Sequence, residues 1–311
     1  MKILFIINRH AGSGKADKKW PKIEKKIKEN FKDYSIVFTE KKGHAVEISR
    51  KAVQKKIPLI VAGGGDGTIS ETAAGFIGKN GKPLQTPSAR STMLGILPLG
   101  SGCDFIRTLN IPNDIEKSLE IIKKQKRRII DMGTASFINH QGKKEKRPFI
   151  NISDAGIGAQ VMHVFDGQTK VFGAFISYQL ATLRGLIQFT NKHFKIVIDN
   201  KKIKDEPANT VLIANGKYFG SGMKVAPDAK IDDGFFDVIV LDKMSRLKML
   251  LKMPALQKGK YKGIKEINLY KAQKVKVETT PKAYIELDGE QLGATPIEFE
   301  IIKSAIPVIA P

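Results

Sequence analysis

The segment from Val61 to Glu71 joins a strand-like apolar run, four glycines around one aspartate, and the start of a helical pattern. Glycine lets backbone amides approach a phosphate and adopt positive φ without a Cβ clash. The free amides of the helix that follows, together with the Thr68 hydroxyl, form an anion site of the kind found at helix N-termini. A carboxylate among phosphates has a purpose when it manages a metal or a proton. Asp66 therefore favours a phosphate site over a glycine-packed strand-to-helix turn.

Two other phosphate-binding motifs do not fit this chain. A Walker A motif requires Ser or Thr after Gly14 and Lys15, but Ala16 stands there. A Rossmann fingerprint requires a glycine three residues after the second one, and none lies three residues after Gly65. A P-loop enzyme and a dinucleotide oxidoreductase are therefore not favoured.

Two further glycine-containing loops follow predicted strands, at Asn8 to Gly14 and at Pro98 to Asp104. Ligands of an open α/β sheet bind beyond the carboxyl ends of its strands. Convergence of three such loops on one phosphate chain is more economical than three unrelated turns.

Two downstream segments carry carboxylates beside a glycine. Pro227 to Gly234 contains three aspartates, whose hard oxygen ligands suit Mg²⁺ or Ca²⁺. An Asp-Gly hairpin turn with a solvated acidic face fits that spacing equally well. Leu287 to Glu290 places Asp288 and Glu290 around a glycine, where one carboxylate could accept a proton from an attacking hydroxyl. Taken alone, the second segment is also typical of a surface turn.

The elements that position the N-terminal loops alternate between strand and helix, which is typical of a three-layer α/β domain. The predicted strands are Ile3 to Ile7, Ser35 to Phe38, Leu59 to Ala62 and Gly95 to Leu97, and the predicted helices contain Trp20 to Phe31, Ala45 to Lys55 and Ile69 to Ile77. The first helix has a basic outer face.

Strand-like runs follow one another after the lysine-rich stretch Lys123 to Arg128, which predicts a second, mainly β domain. These runs are Phe149 to Ile152, Phe194 to Ile198, Thr210 to Ala214, Phe236 to Leu241, Val275 to Val277 and Tyr284 to Leu287. The main exception is the span from Val171 to Thr190, whose apolar and aromatic residues recur at helical spacing. That stripe predicts either a core helix or a lipid-facing one.

Composition limits the partners and the compartment. The 311 residues carry 53 Lys and Arg against 31 acidic residues, a formal net charge of +22 that favours anionic partners. The single cysteine, Cys103, excludes an intramolecular disulfide and favours a reducing, cytoplasmic compartment. No apolar run approaches the length of a membrane span, so we expect a soluble protein with peripheral membrane contact. A nucleic-acid binder is disfavoured because the lysines are scattered without interleaved aromatics.

Four ordered blocks resemble the diacylglycerol kinase catalytic-domain family, which includes bacterial diacylglycerol and YegS-type lipid kinases and the sphingosine kinases, and is related to the NAD kinases. The blocks are Gly64 to Thr68 with Glu71, Leu97 to Arg107, Asn215 to Pro227 followed by Asp233 and Gly234, and Leu287 to Glu290. The resemblance covers nearly the whole chain. It implies an α/β nucleotide-binding domain over residues 1–130 plus about 299–311, and a β-rich, β-sandwich-like lipid and metal domain over residues 131–298.

The resemblance also implies the cofactors ATP and Mg²⁺ and the roles of particular residues. ATP contacts are expected from Asn8, Arg9, His10, Ala11, Gly12, Thr39, Gly64, Gly65, Asp66, Gly67, Thr68, Glu71, Gly100, Ser101 and Asp104. The Lys230 carbonyl, the Asp233 side chain and the Phe235 carbonyl are expected to hold Mg²⁺. Asp66, Asp288 and Glu290 are the candidate catalytic groups, and the resemblance does not decide whether Asp288 or Glu290 is the general base.

The chain departs from the family pattern at two positions. Arg9 stands in place of the usual proline, and Cys103 in place of an asparagine whose amide can both donate and accept hydrogen bonds. The expected activity is transfer of the ATP γ-phosphoryl group to a lipid hydroxyl in phospholipid synthesis, at an anionic membrane surface. An NAD kinase and a catalytically silent lipid or nucleotide sensor are the alternatives. The lipid, with diacylglycerol most expected, and a homodimer are left open.

Overall fold

The computed structural model describes residues 1–166, 184–185 and 189–311. Its N-terminal elements are β1 (Ile3–Ile7), α1 (Lys15–Asn30), β2 (Tyr34–Phe38), α2 (His44–Gln54), β3 (Leu59–Gly64), α3 (Asp66–Ala74), β4 (Met93–Pro98), α4 (Asp104–Thr108) and α5 (Ile115–Lys124). The four strands are parallel in the order β2-β1-β3-β4.

The N-terminal sheet is covered by helices on both faces. β1, β3 and β4 are buried along their whole length, as expected of parallel strands that lie between two helical layers. Trp20, Ile23 and Ile27 of α1 pack on one face of the sheet, and Ala45 and Ile69 of α2 and α3 pack on the other. The predicted three-layer α/β domain is therefore present.

The second half of the chain is built mainly from antiparallel strands around its own apolar core. Its elements are β5 (Arg127–Asn139), β6 (Lys144–Phe149), β7 (Ile152–Gly156), α6 (Ile157–Asp166), β8 (Lys192–Ile198), β9 (Lys201–Ala214), β10 (Phe236–Asp242), α7 (Arg246–Gln257), β11 (Ile267–Ala272), β12 (Lys274–Thr280), β13 (Tyr284–Leu287) and β14 (Glu290–Ile309). The predicted β-rich second domain is therefore present, with α6 and α7 as additions that the strand pattern did not indicate.

Strand β14 joins the two halves. It pairs along most of its length with β5, and near its C-terminal end Val308 pairs in parallel with Leu94 of β4. The C-terminal residues thereby extend the N-terminal sheet, and one continuous sheet runs through both halves. This connection fixes the loops of the first half against the strands of the second.

The single strand predicted at Phe149 to Ile152 is wrong, because β6 ends at Phe149 and β7 begins at Ile152. The amides of Ile150, Asn151 and Ile152 turn instead to the carboxylate of Asp288. Backbone donors that are satisfied by a side chain cannot continue a strand ladder. The predicted helix over residues 171–190 lies for the most part outside the described residues. Among the described residues, no helix is both long and apolar enough to cross a membrane.

Candidate active site

The three predicted glycine loops meet at the carboxyl edge of the parallel sheet. Gly100 lies so close to Gly65 that a Cβ on Gly100 would overlap the Gly65 backbone. A Cβ on Gly12 would meet the Leu99 carbonyl oxygen at 3.0 Å. The side-chain amide of Asn8 donates a hydrogen bond from Nδ2 to the Thr68 hydroxyl at 3.2 Å. The expected convergence therefore rests on contacts that only glycine or a short polar side chain can make.

Helix α3 points its N-terminus into the space between these loops. Its N-cap residue, Gly65, makes no side-chain capping bond, and the first acidic residue of the helix is Asp66. A Cβ on Gly67 would meet nothing within 4 Å, so the first turn is open on that side. Free amides and the helix dipole at such an end favour an anionic group such as a phosphate.

Asp66 and Asp104 form a carboxylate pair between the second and third loops. Asp66 accepts a hydrogen bond from the Phe105 amide at 3.1 Å, and Asp104 Oδ2 accepts one from the Ser221 amide at 2.8 Å. Asp104 Oδ1 is buried and has no hydrogen-bond partner within the described residues, and Arg107 Nε lies 4.0 Å from it. Burial, and then the charge of Asp66, raise the pKa of Asp104 to about 6. One oxygen of the pair is therefore available to a cation or a proton.

Cys103 is the N-cap of α4 and is buried, with φ of 48° in the left-handed region. Burial, followed by the negative charge of Asp66, raises the pKa of its thiol to about 12. A thiol in this state stays protonated at neutral pH and is a poor nucleophile. The structure thus gives Cys103 the place of a small buried side chain, and not that of a reacting group.

The carboxylate of Asp288 accepts four hydrogen bonds. Oδ2 accepts from the Ser70 hydroxyl at 2.5 Å and from the Ile150 amide at 2.9 Å, while Oδ1 accepts from the amides of Asn151 at 2.9 Å and Ile152 at 3.2 Å. Removal from water raises the pKa of Asp288, and the four donors oppose that rise. Ser70 belongs to α3, so this carboxylate connects α3 to the β-rich half.

Glu290 occupies a different environment from Asp288. Its Oε2 lies 3.3 Å from Arg147 Nη1, and its Oε1 lies 3.3 Å from Lys42 Nζ. Each oxygen of this carboxylate is therefore engaged in an ion pair with a different side chain. Of the two candidate bases, the structure brings Asp288 to the loops and leaves Glu290 in an ion-pair cluster.

Several expected nucleotide contacts have other partners in the structure. Both oxygens of Glu71 accept from the amides that begin α2, at Gly43 (2.8 Å) and Ala45 (3.3 Å). Glu71 therefore acts as a cap of α2. Arg9 pairs with Asp17, and its guanidinium lies over the Phe38 ring at 5.3 Å.

The remaining expected contacts lie closer to the loops. His10 donates its amide to the Asn8 side chain at 2.9 Å, while Ala11 is buried below the same loop. Thr39 directly follows β2, and its backbone amide donates to the Ile7 carbonyl at 2.9 Å. Ser101 is an exposed residue of the third loop.

A cavity of about 950 Å³ opens between the loops and the β-rich half. Its polar end includes Asp66, Ser101, Asp104 and Asp288, and a fourth aspartate, the buried Asp154, also lines the cavity. The rest of its wall is largely apolar and includes Val161, Met162, Leu212, Phe219, Ile239, Leu241, Met249, Met253 and Leu256. The cavity therefore combines carboxylates at its polar end with an apolar wall suited to an aliphatic molecule.

The turn expected to hold Mg²⁺ already contains a cation of the protein. Lys271 Nζ lies 2.8 Å from Asp233 Oδ2 and 2.8 Å from Asp237 Oδ2, and the other oxygen of Asp233 accepts from the Phe235 amide. Burial alone would lower the pKa of Lys271, but the two carboxylates outweigh it and raise that pKa. The described residues contain no group of three or more His, Cys, Asp or Glu placed to hold a metal. Of the three expected ligands Lys230, Asp233 and Phe235, the Asp233 carboxylate is thus engaged by Lys271 and by the Phe235 amide.

Two polar residues at the site were missed by the sequence reasoning. Ser70 lies one helical turn after Asp66, so helical spacing alone would have placed it on the same face of α3. Ser221 donates its amide to Asp104 from 117 positions away, and no sequence signal marks such a contact. Two apolar residues of the cavity wall, Met249 and Met253, were also not predicted. They belong to α7, a helix that the strand-like pattern of the second half did not indicate.

Comparisons with known proteins agree with this architecture. Residues 2–135 match the family model of the diacylglycerol kinase catalytic domain, and residues 151–310, just over half of the chain, match the YegS C-terminal NAD kinase beta sandwich-like domain. A diacylglycerol kinase of Staphylococcus carnosus (strain TM300) is 26% identical over 307 residues, covering 99% of this chain and 94% of the relative. One of Staphylococcus aureus (strain MRSA252) is also 26% identical, covering 99% and 91%.

Solved structures share the fold over the whole chain. A diacylglycerol kinase structure from Bacillus anthracis str. Sterne is 24% identical with a TM-score of 0.70, covering 100% of this chain and 97% of that one. A second structure from that organism is 26% identical with a TM-score of 0.78, covering 100% and 95%. Yeast NADH kinase complexed with NADH is 10% identical with a TM-score of 0.56, covering 100% and 84%. The chain therefore belongs to the diacylglycerol kinase family, with a diacylglycerol kinase catalytic domain followed by a YegS-type C-terminal domain.

Proposed function

We propose that this chain is an ATP-dependent lipid kinase that transfers the γ-phosphoryl group to the hydroxyl of a diacylglycerol-like lipid. The observation that carries the proposal is the cavity of about 950 Å³, which has Asp66, Asp104 and Asp288 at its polar end and a largely apolar wall that also includes a fourth aspartate, Asp154. A lipid with one hydroxyl and aliphatic chains has the same division between a reacting end and an apolar body. The names of the staphylococcal relatives support the diacylglycerol class.

In this proposal the glycine loops and the α3 N-terminus bind the phosphates of the nucleotide substrate. Backbone amides at Gly65 to Thr68 neutralise phosphate charge without adding a side chain between the reactants. Asp104 Oδ1 is buried and has no hydrogen-bond partner within the described ranges. This oxygen is the ligand available to the Mg²⁺ that accompanies ATP as substrate. Phosphoryl transfer then depends on positioning and charge stabilisation, with no covalent enzyme intermediate.

Asp288 orients the lipid hydroxyl at the polar end of the cavity. The lipid hydroxyl replaces the Ser70 hydroxyl as a hydrogen-bond donor to Asp288 Oδ2. This is the Asp288 oxygen that accepts from a side chain, whereas Oδ1 accepts only from backbone amides. The hydroxyl oxygen forms a bond to the γ-phosphorus, the bond from phosphorus to the β–γ bridging oxygen breaks, and the hydroxyl proton passes to the carboxylate. Removal from water raises the pKa of Asp288, which favours proton acceptance there, whereas both oxygens of Glu290 are engaged in ion pairs.

An NAD kinase is the closest enzymatic alternative, and the loop after β9 argues against it. NAD kinases have a glutamate after the asparagine that corresponds to Asn215, whereas this chain has Gly216. A Cβ at Gly216 would overlap the side-chain oxygen of Asn151, so no larger residue fits there without rearrangement. Asn215 itself is buried and donates to the carbonyls of Asp131 at 3.1 Å and Ile150 at 2.7 Å.

The test is a phosphoryl-transfer assay with labelled ATP against parallel acceptors. The acceptors are diacylglycerol, sphingosine, phosphatidylglycerol and undecaprenol in detergent micelles, and NAD in solution. We expect labelled phosphatidic acid from diacylglycerol, and no transfer by Asp288→Asn. Labelled NADP without labelled lipid would establish the NAD kinase instead. Nucleotide binding without transfer to any acceptor would establish a silent sensor.

A cavity-filling variant separates lipid recognition from nucleotide recognition. Ile239 lies in the apolar wall, so Ile239→Trp should raise the KM for diacylglycerol at least about tenfold while the KM for ATP changes little. Ile129→Trp, on an exposed strand position away from the cavity, is the matched control. An equal effect of the two substitutions on lipid KM would contradict the assignment of the cavity to the acceptor.

A further inference from the structure

Helix α7 carries an unusual concentration of exposed leucines. Seven large apolar side chains are exposed among the described residues, and three of them lie in this one helix. Leu247 is 69% exposed, Leu250 is 44% exposed and Leu251 is 72% exposed. Spacings of three and four residues place them on one side of the helix, and Pro254 continues the same stripe. A contiguous exposed apolar stripe of this kind marks an interaction surface.

The same helix has a second apolar face, which looks inward. Met249 is buried against Leu241 and Met244, and Met249, Met253 and Leu256 line the lipid cavity. A helix of a water-soluble protein usually needs only one apolar face, toward the core. Here one face forms the cavity wall and the other lies outside, so α7 separates the cavity from whatever covers its outer leucines.

The charge around α7 is strongly and uniformly positive. Residues 243–265 contain eight Lys or Arg and no Asp or Glu. Some of these cations are engaged, as when Lys248 pairs with Glu266 or Lys262 with Asp228 at 3.1 Å. In the part of the chain that the structure describes, Lys252 has no salt-bridge partner and is exposed beside the leucines. Leucines framed by free cations are the pattern of helices that lie in the plane of an anionic membrane surface.

We propose that α7 is the membrane-docking helix of this protein. Leu247, Leu250 and Leu251 enter the acyl region of an anionic bilayer, and the surrounding lysines bind its headgroups. A lipid then passes from the bilayer along the inner face of the helix into the cavity. The last step rests on the proposed lipid kinase function, whereas docking on the membrane does not.

A second copy of this chain is the competing occupant of the leucine stripe. In a symmetric contact the same patch meets itself, so Lys252 and its neighbouring unpaired cations would lie close to those of the other copy. Like charges at such short range oppose association. An anionic membrane therefore complements both the apolar leucines and the cations of this surface. A second copy would complement only the apolar leucines.

The experiment measures vesicle binding directly, independently of catalysis. Wild-type protein is sedimented with vesicles of pure phosphatidylcholine and with equimolar phosphatidylcholine and phosphatidylglycerol. We expect binding to the anionic vesicles that weakens with salt, at least about tenfold weaker binding by Leu247→Gln/Leu250→Gln/Leu251→Gln, and roughly fivefold weaker binding by Lys252→Gln. Ile129→Gln and Lys22→Gln are matched exposed controls elsewhere and should bind as wild type does.

A labelled single cysteine locates the contact. Cys103 is buried, so Leu251→Cys provides the accessible thiol for an environment-sensitive dye. Its emission should shift to the blue on anionic vesicles, while the same dye at Lys22→Cys should not respond.

Three outcomes would overturn the proposal: no binding of wild type to anionic vesicles, unchanged binding by the triple variant, or a concentration-dependent dimer that the triple variant abolishes. Activity on micellar diacylglycerol distinguishes a failure of docking from a failure of the kinase. The triple variant should keep that activity, since its three leucines do not line the cavity.

Discussion

Replacing Asp104 by asparagine should stabilise the folded protein while removing its activity. Asparagine keeps the shape of the side chain and an oxygen that can accept from the Ser221 amide. It removes a buried negative charge that has no hydrogen-bond partner on Oδ1 within the described residues and that lies near the charge of Asp66. The substitution therefore relieves desolvation and like-charge repulsion at once.

The size of the effect follows from the pKa of Asp104, which burial raises from 3.8 to about 6. One pH unit in a pKa corresponds to about 1.4 kcal/mol, so the ionised carboxylate costs the folded state about 3 kcal/mol at pH 8. The folded chain binds more protons than the unfolded chain between these two pKa values. The cost therefore diminishes as pH falls, to about 0.5 kcal/mol near pH 4.

Thermal unfolding of wild type and Asp104→Asn across this pH range tests the argument. We expect the variant to melt about 5 °C higher at pH 8 and within about 1 °C of wild type near pH 4. Asp33→Asn, at an exposed carboxylate, reports the effect of removing a surface charge. A variant that is less stable than wild type at pH 8, or a gain that does not change with pH, would refute the reasoning.

The remaining predictions concern catalysis, the cation in the acidic turn and the cysteine. Asp288→Asn should lower kcat for diacylglycerol at least about a hundredfold, while Glu290→Gln should stay within about tenfold of wild type; equal losses in steady-state assays would reject Asp288 as the base. Wild-type activity should fall as pH drops below about 6, because protonation of Asp104 removes its charge; a flat profile from pH 5 to pH 8 would contradict that role. EDTA should leave the melting temperature of wild type unchanged, whereas Lys271→Met should melt lower and regain stability with Mg²⁺, because two carboxylates lose their shared ammonium. Cys103 should react with a thiol reagent only after unfolding, and Cys103→Ala should keep its activity.

The N-terminal fold could be predicted from local pattern because its strands are parallel and buried on both faces. Such strands appear as short continuous apolar runs, and the helices between them show apolar spacing. The prediction of β1 as Ile3 to Ile7 matches the structure residue for residue. In the second half, the inner face of α7 lines a cavity and its outer face is also apolar, so Met249, Leu250 and Leu251 give no single helical stripe. Periodicity fails where an element has two apolar faces.

The candidate site was predictable in its loops and not in its side-chain contacts. The glycines at Gly65 and Gly100 marked two loops correctly, because close backbone contact requires that residue type. The family resemblance also assigned Glu71 to the nucleotide, but the structure uses both of its oxygens to cap α2. A carboxylate near a helix start can serve a ligand or a neighbouring helix, and only the tertiary arrangement decides between them.

Asp288, the proposed general base, also has a structural role in this protein. It lies in the turn between β13 and β14 with φ of 49°, a conformation that aspartate tolerates better than most residues. Its carboxylate accepts hydrogen bonds from the Ile150 amide just after β6, from the Ile152 amide at the start of β7, and from the Ser70 hydroxyl of α3. A base held by donors from both halves can be positioned only when the halves are joined. The interruption of the predicted strand at Phe149 to Ile152 is therefore a direct consequence of placing the Asp288 carboxylate at the junction between the halves.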